Sequence, residues 1–431
     1  MMVVEGNAYF EGKLKKLCIG IEDGKIVAMK KILKGDPHMD FGEGLILPAG
    51  IDIHVHFREP GFTGKEDFAT GTMSAAYGGI GTVVDMPNTN PPVASPSGLM
   101  EKLKLAQRKA CVDFGLYAAI TPEGDLPALS RMCTGFKLYL SGSTAAHAIA
   151  ISDSATLKPL VGSAAGKVVA GHCEDETLFR KIIQKNLEQY LEARPGASES
   201  AAVEKFLALG GAGSRLHVCH VSAKESVGII RDAKNRIVNK SMQIELTCEA
   251  TPHHMLLNSK FDLGAFGKVN PPLRSGGDQV ALWNAFNDGT VDILASDHAP
   301  HTFGEKQEFE TAPSGVPGVE TMLPLMLLQA QKGRIGLDRL VNAVSEKPAE
   351  LFGLNKGKIA IGKDADLIAV DPRCTEKISA KRLHSKCGWT PYEKFEAMFP
   401  VMTMVRGEEI ISGGEFVGKH GFGMYISQGG A

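Results

Sequence analysis

Between residues 49 and about 300, short apolar runs alternate with longer stretches of helical periodicity. Eight runs read as strands: 51–56, 81–86, 112–119, 135–140, 167–172, 215–221, 244–250 and 291–296. Segments 66–78, 96–110, 174–192, 223–239 and 278–288 read as the helices between them. Strand–helix alternation predicts a parallel sheet, and eight units predict a closed (β/α)8 TIM barrel over 49–355. An open doubly wound sheet is the alternative, but no Gly-x-Gly-x-x-Gly follows the first strand.

The texture differs on either side. Residues 1–48 are short strands and turns, with Leu17–Ile21 and Lys25–Met29 flanking Glu22-Asp23-Gly24, a hairpin signal. Strand-and-turn character returns at 358–370 and again at 401–411. We expect 1–48 and 356–431 to meet in one small β-sandwich domain beside the barrel. The link 371–400, which holds Trp389-Thr390-Pro391-Tyr392, reads as irregular.

Composition narrows the class. The 431 residues are 43% apolar and 22% charged, which suits a large globular fold. A net charge of −2 gives no reason to expect nucleic acid or membrane as a partner. Eight cysteines without a Cys-x-x-Cys pair suit reduced thiols in a cytoplasm. There is neither a signal-peptide pattern at Met1–Gly6 nor an apolar run of membrane-spanning length.

Barrel enzymes carry their chemistry at the C-terminal ends of the strands, and here those ends are polar. In Ile53-His54-Val55-His56 the imidazoles are two apart, so they share a strand face and can grip one metal ion. Arg58 follows at once, before Pro60-Gly61 breaks the strand. Asp85-Met86-Pro87-Asn88-Thr89 ends the second strand and His172-Cys173-Glu174 the fifth. Cys219-His220 ends the sixth, Glu249 with His253 and His254 follows the seventh, and Ser296-Asp297-His298-Ala299-Pro300-His301 ends the eighth. A single buried histidine is most often a core residue with a satisfied hydrogen bond. Imidazoles and a carboxylate at four strand ends are hard to explain that way. They suit Zn²⁺, and the same ligand types also serve other divalent ions. Lys137, inside the apolar strand Gly135-Phe136-Lys137-Leu138-Tyr139, must lose its charge or find a partner. It reads either as a salt-bridged or snorkelling lysine, or as a neutral amine that captures CO₂ and becomes a carboxylate able to bridge two metals. Cys173, Cys219 and Cys248 read as small packing residues. Segment 302–317 reads as a loop over the site or as an ordinary barrel loop.

Together these stretches resemble the amidohydrolase superfamily and, within it, the class I dihydroorotases. The resemblance runs over nearly the whole chain. Its most specific pieces are Asp52–Gly61, Met86–Thr89, Cys219–Val221, Asn270–Arg274 and Ala295–His301. It implies a zinc-dependent enzyme that reversibly closes N-carbamoyl-L-aspartate to (S)-dihydroorotate plus water, in pyrimidine biosynthesis. It also implies two Zn²⁺ per subunit, bridged by carboxylated Lys137 and a hydroxide. His54 and His56 would hold one metal with Asp297, and His172 and His220 the other. Some bacterial members use an aspartate bridge. Asp153 is the nearest acid after Lys137, but no bridge motif surrounds it, and Phe136-Lys137-Leu138-Tyr139 favours the lysine. Arg58, Asn88, Asn270, His301 and the Ser314-Gly315 backbone would bind substrate.

In this reading two metals about 3.5–4 Å apart hold the hydroxide and polarise the carbonyl, and Asp297 shuttles the proton to the ring nitrogen. Allantoinase and dihydropyrimidinase/hydantoinase are the rivals with the same metal residues. Arg58, Asn88 and Asn270 favour a substrate with its own carboxylate. The rival of another class is an inactive barrel serving as a scaffold for aspartate transcarbamoylase. It is disfavoured because all the expected metal residues are present. A homodimer is the family-level expectation, and association with aspartate transcarbamoylase is compatible with an active enzyme.

Overall fold

Two eight-stranded sheets organise the protein. In this computed structural model residues 1–142, 149–164 and 166–427 are described. The first sheet begins with β1 (Met2–Phe10), β2 (Lys13–Glu22), β3 (Lys25–Lys30) and β4 (His38–Pro48). The expected hairpin is a tight turn between β2 and β3, with Asp23 and Gly24 at φ 49° and 75°.

The second sheet is the barrel. Its strands are β5 (Gly50–Val55), β6 (Ile80–Asp85), β7 (Asp113–Ala119), β8 (Gly135–Tyr139), β9 (Val168–His172), β10 (Arg215–Val218), β11 (Glu245–Ala250) and β12 (Ile293–Leu294). Each pairs in parallel with its neighbour in chain order. The ring closes where His56 N donates to His298 O at 2.8 Å, beside a parallel bridge between Val55 and His298. All eight strands fall in the apolar runs read as strands. The last is short because Asp297 turns the chain at φ 44°.

The chain then returns to the first sheet with β13 (Leu367–Val370), forms a two-stranded ribbon from β14 (Glu376–Lys377) and β15 (Glu396–Ala397), and ends in β16 (Met402–Val405), β17 (Glu408–Ser412) and β18 (Glu415–Phe416). The first sheet runs β18-β17-β16-β13-β4-β1-β2-β3. β4 therefore lies between β1 and β13, a parallel neighbour and an antiparallel one. The sheet rolls until its hairpins meet: Ile26 N donates to Lys363 O at 2.9 Å, and a Cβ on Gly24 would lie 2.9 Å from Arg406 O. Period-two alternation divides its residues. Val4, Ala8, Ile19, Leu367, Ala369 and Met404 pack inside the roll, whereas Leu47, Ile368, Val370 and Val405 join the core of the barrel.

Four of the expected helices form close to where the periodicity places them. Helix Phe68–Tyr77 is capped by Asp67, Pro96–Lys109 by Ser95, and Gly276–Asn287 by a Ser275–Asp278 capping box. Helix Lys224–Val238 buries Val227, Ile230 and Ala233 at a spacing of three. Segment 174–192 differs. It makes one 3₁₀ turn at Glu176–Leu178, runs irregularly, and restarts as a helix at Leu187–Ala193 under an Asn186 cap. A second helix, Gly196–Leu209, follows Pro195. No helix among the described residues is long and apolar enough to cross a membrane.

Candidate active site

The C-terminal ends of the barrel strands converge on one polar pocket of about 410 Å³. His54, His56, Lys137, His172, His220 and Asp297 line its floor; Arg58, Asn88, Asn270, Ser314 and Gly315 line its wall. His301 sits one layer out, fully buried, with its Nε2 3.1 Å from Ser314 O and 3.2 Å from an Arg58 amino nitrogen.

The floor is defined by what each imidazole does with its other nitrogen. His54 Nδ1–H donates to Glu249, and His56 Nδ1–H donates to Asn88 Oδ1 at 2.6 Å. Their Nε2 atoms then face one carboxylate oxygen, Asp297 Oδ1, at 3.4 and 3.1 Å. His172 Nε2–H donates to Glu174 Oε2 at 3.0 Å, which turns its Nδ1 to within 2.9 Å of His220 Nε2. Glu174 is itself held by Arg194, at 3.1 and 2.6 Å. Carboxylate and amide partners that fix the tautomer and aim the lone pair are what metal-ligating histidines require. His220 Nδ1 is buried without a hydrogen-bond partner among the described residues. Among the described residues, two sets of atoms able to ligate a metal each lie within 4.8 Å of one another: His54, His56 and Asp297, and His54, Cys219 and Glu249.

Lys137 is 1% exposed and makes no ion pair among the described residues; its Nζ donates to Cys219 Sγ at 2.9 Å. This corrects the reading of Cys219 as packing alone, since its sulfur touches Lys137 and shares a ligand group with His54. Glu249, noted in the sequence only for its position, holds both His54 and His217. Asp153 lies away from the pocket as the exposed cap of helix Ser154–Ser163.

The backbone is bent at the same places. Arg58, His220 and Asp297 have φ of 62°, 34° and 44°. Each left-handed non-glycine residue costs about 1–3 kcal/mol and persists only where its surroundings fix it. The His220 amide is held by Glu249 Oε1 at 3.1 Å, and Asp52 accepts from Ser296 N at 3.1 Å just before Asp297.

Electrostatics divide the histidines. Burial holds His172 and His220 below the ordinary imidazole range and His56 down to about 3, so their lone pairs are available. Burial opposes charge on His54 too, but the Glu249 and Asp297 carboxylates prevail and push it up to about 10. Burial would raise Asp297, yet the imidazoles of His54 and His56 hold it well below the usual carboxylate range. A proton on His54 is thus the cation that the floor attracts, and a metal ion offers the same carboxylates a stronger one.

The wall is built from donors. Asn88 Oδ1 accepts from His56, and Asn270 Oδ1 accepts from the Tyr190 hydroxyl, which fixes the orientation of both amides. Lys65 donates to His301 Nδ1 at 3.1 Å, so the hydrogen of His301 is on Nε2 and goes to Ser314 O. Arg58 donates from Nε to Pro300 O at 3.1 Å and has no carboxylate partner among the described residues. Gly315 stands at φ 141°, where a Cβ would meet Ala299 O at 2.3 Å. Tyr190, which also meets Ser314 Oγ at 2.8 Å, escaped the sequence reading because nothing in its local pattern marks it. Segment 302–317 is tied down: Lys268 Nζ donates to Phe309 O at 2.8 Å, and Gly315 N to Lys268 O at 2.9 Å. The 371–400 link braces it from behind, with Trp389 Nε1 donating to His301 O at 2.7 Å.

A parallel barrel with imidazoles, a lysine and an aspartate at its C-terminal rim has the architecture of a metal-dependent hydrolase. Residues 45–410 match the Amidohydrolase family, and the chain belongs to it. It is 41% identical to a dihydroorotase from Methanosarcina acetivorans, over 98% of this chain and 94% of that protein. A dihydroorotase from Halobacterium salinarum is 38% identical, covering 96% of this chain and 97% of its own. Among solved structures, L-hydantoinase (dihydropyrimidinase) from Arthrobacter aurescens superposes with a TM-score of 0.92 at 30% identity, covering 99% of both chains.

Proposed function

We propose that the chain is a dihydroorotase of pyrimidine biosynthesis, which closes N-carbamoyl-L-aspartate to (S)-dihydroorotate with release of water and reopens the ring. The observation that carries the reading is Arg58: a buried guanidinium on the pocket wall, without a carboxylate partner among the described residues, beside Asn88 and Asn270, whose amides are oriented by His56 and Tyr190. That donor set suits a ring that bears its own carboxylate, which Arg58 can take bidentately. Hydantoins and dihydrouracil lack that group and leave Arg58 without a role.

The residues fit a two-zinc centre: four imidazoles with one nitrogen each aimed inward, Asp297 facing two of them, and Lys137 buried without an ion-pair partner among the described residues. His54, His56 and Asp297 would hold one ion, His172 and His220 the other, with Lys137 carboxylated between them. Bound zinc would supply Lewis acidity at the carbonyl oxygen and bring a water's pKa to roughly 7. In ring opening, Asp297 takes a proton from the attacking water as the new C–O bond forms. It hands that proton to the ring nitrogen as the C–N bond breaks. Ring closure runs the same transfers backwards. Arg58 and the asparagines hold the carboxylate end still while this happens, and Ser314-Gly315 presents backbone groups to the ring. The reading carries with it a cytoplasmic homodimer, checked by sedimentation, and copurification would test association with an aspartate transcarbamoylase.

The test compares rates on dihydroorotate, allantoin, hydantoin and dihydrouracil by the zinc-supplied protein, with metal counted on the same sample. Turnover of dihydroorotate well above the others is the expected result. Preference for hydantoin or dihydrouracil would move the enzyme to the hydantoinases.

A further inference from the structure

Lys306 is fully buried, and it makes no ion pair among the described residues. All three of its ammonium hydrogens have carbonyl acceptors: Lys268 O at 3.2 Å, Pro313 O at 2.9 Å and Gly315 O at 3.1 Å. Two of those carbonyls flank Ser314, whose own carbonyl accepts from His301 and whose hydroxyl meets Tyr190. The Trp389 ring covers the ammonium, 5.5 Å from its centroid. We propose that Lys306 is a positioning residue for an anionic substrate, fixing the Ser314–Gly315 backbone while its charge helps make this end of the pocket electropositive. The inference rests on the reading of the substrate as a carboxylate.

The charge matters as well as the hydrogen bonds. A neutral amide can satisfy two of these carbonyls without the desolvation that a buried ammonium demands. The cation has company of its own sign. Lys268, Arg58 and Lys65 surround the same loop, and the carboxylates near them are engaged or turned outward: Glu305 by Lys65 at 2.7 Å and Thr302 at 2.8 Å, Asp85 by Lys102, Asp297 by His54 and His56, while Glu308 and Glu310 are exposed. An excess of cations around a pocket wall is incomplete until an anion arrives. Burial, with Lys268 and Arg58 adding to it against Glu305, pushes the Lys306 amine down to about 7. The empty enzyme therefore sheds this charge as pH rises through neutrality, and a bound carboxylate draws the proton back.

The experiment is KM for dihydroorotate from pH 6 to 9 in the zinc-loaded wild type and in Lys306→Met. In the wild type KM rises above pH 7, by at most about tenfold per pH unit for one linked proton. In K306M the larger part of the loss falls on KM, already about tenfold high at pH 6, and the rise with pH is gone. Bound metal and the pH profile of kcat stay as in the wild type. Lys306→Arg, whose charge does not titrate in this range, keeps KM independent of pH. A wild-type KM that is flat across this range overturns the proposal even if neither variant folds, and so does a K306M profile that matches the wild type. A wild type inert on dihydroorotate overturns the substrate reading and this proposal with it, whereas turnover with an insensitive KM overturns this proposal alone.

Discussion

At the level of single side chains, Arg58, Asp297 and Tyr190 test the proposed division between binding and chemistry. Arg58→Ala removes the cation expected to face the substrate carboxylate. Charge-assisted hydrogen bonds contribute about 1.5–3 kcal/mol, so KM for dihydroorotate should rise roughly 10- to 100-fold with a smaller change in kcat, as steady-state kinetics will tell. Asp297→Ala should abolish turnover; a normal kcat in that variant would remove Asp297 from the proton transfer. Tyr190→Phe is subtler. Its hydroxyl holds Asn270 Oδ1 and meets Ser314 Oγ, and losing it frees the amide to flip. A rise in KM of roughly five- to tenfold is expected from about 1 kcal/mol of lost hydrogen bonding, with metal content unchanged. The histidines gathered on the pocket floor were legible in the sequence because a polar residue at the end of an apolar strand announces itself. Tyr190 and the Cys219–Lys137 contact were not, because each depends on a partner about 80 residues away, at separations of 80 and 82.

Elements are fastened to the site by buried charge as well as by apolar packing. Lys102, on the helix Pro96–Lys109, pairs with Asp85 at the end of β6 and donates to Met86 O at 2.7 Å; both side chains are wholly buried. Asp85 also accepts from Phe57 N at 2.6 Å, next to Arg58. Lys102→Met leaves Asp85 buried and unpaired, which should cost about 3–5 kcal/mol in urea unfolding. The loss should be smaller at pH 5 than at pH 8. Burial already raises the Asp85 carboxyl against the pull of Lys102, and without that pull it rises further. A group whose folded pKa is raised binds its proton more tightly in the native state, so stability falls as pH climbs through the window between the unfolded and folded values. The barrel strands were readable because continuous apolar runs have no other use at that length. The expected helix over 174–192 failed because periodicity makes a helix only where a neighbour buries the apolar face. Ile183 remains 70% exposed, and the backbone breaks there instead. Helix Gly196–Leu209 passed unnoticed because its first two turns are Gly, Ala and Ser apart from Glu199, which is itself buried, so its faces show little contrast.

For the molecule as a whole, the proposed metal centre should be a stability element. The residues proposed as ligands come from the ends of β5, β9 and β10 and the turn after β12 and meet in one pocket, so an ion held by them would bind the folded state and not the separate strands. Stripping with a chelator should abolish activity and lower the melting temperature in scanning calorimetry. Restoring zinc to 100 times its Kd should return about 2.7 kcal/mol. A melting temperature indifferent to chelation would argue against this centre. The joining of both ends of the chain in one rolled sheet has a consequence in time. β4 pairs on one side with β1 and on the other with β13, which follows roughly 320 residues later in synthesis. At about 5–20 residues per second, the nascent chain carries that open edge on the ribosome for some 15–60 seconds, and the barrel emerges before the strand that covers it.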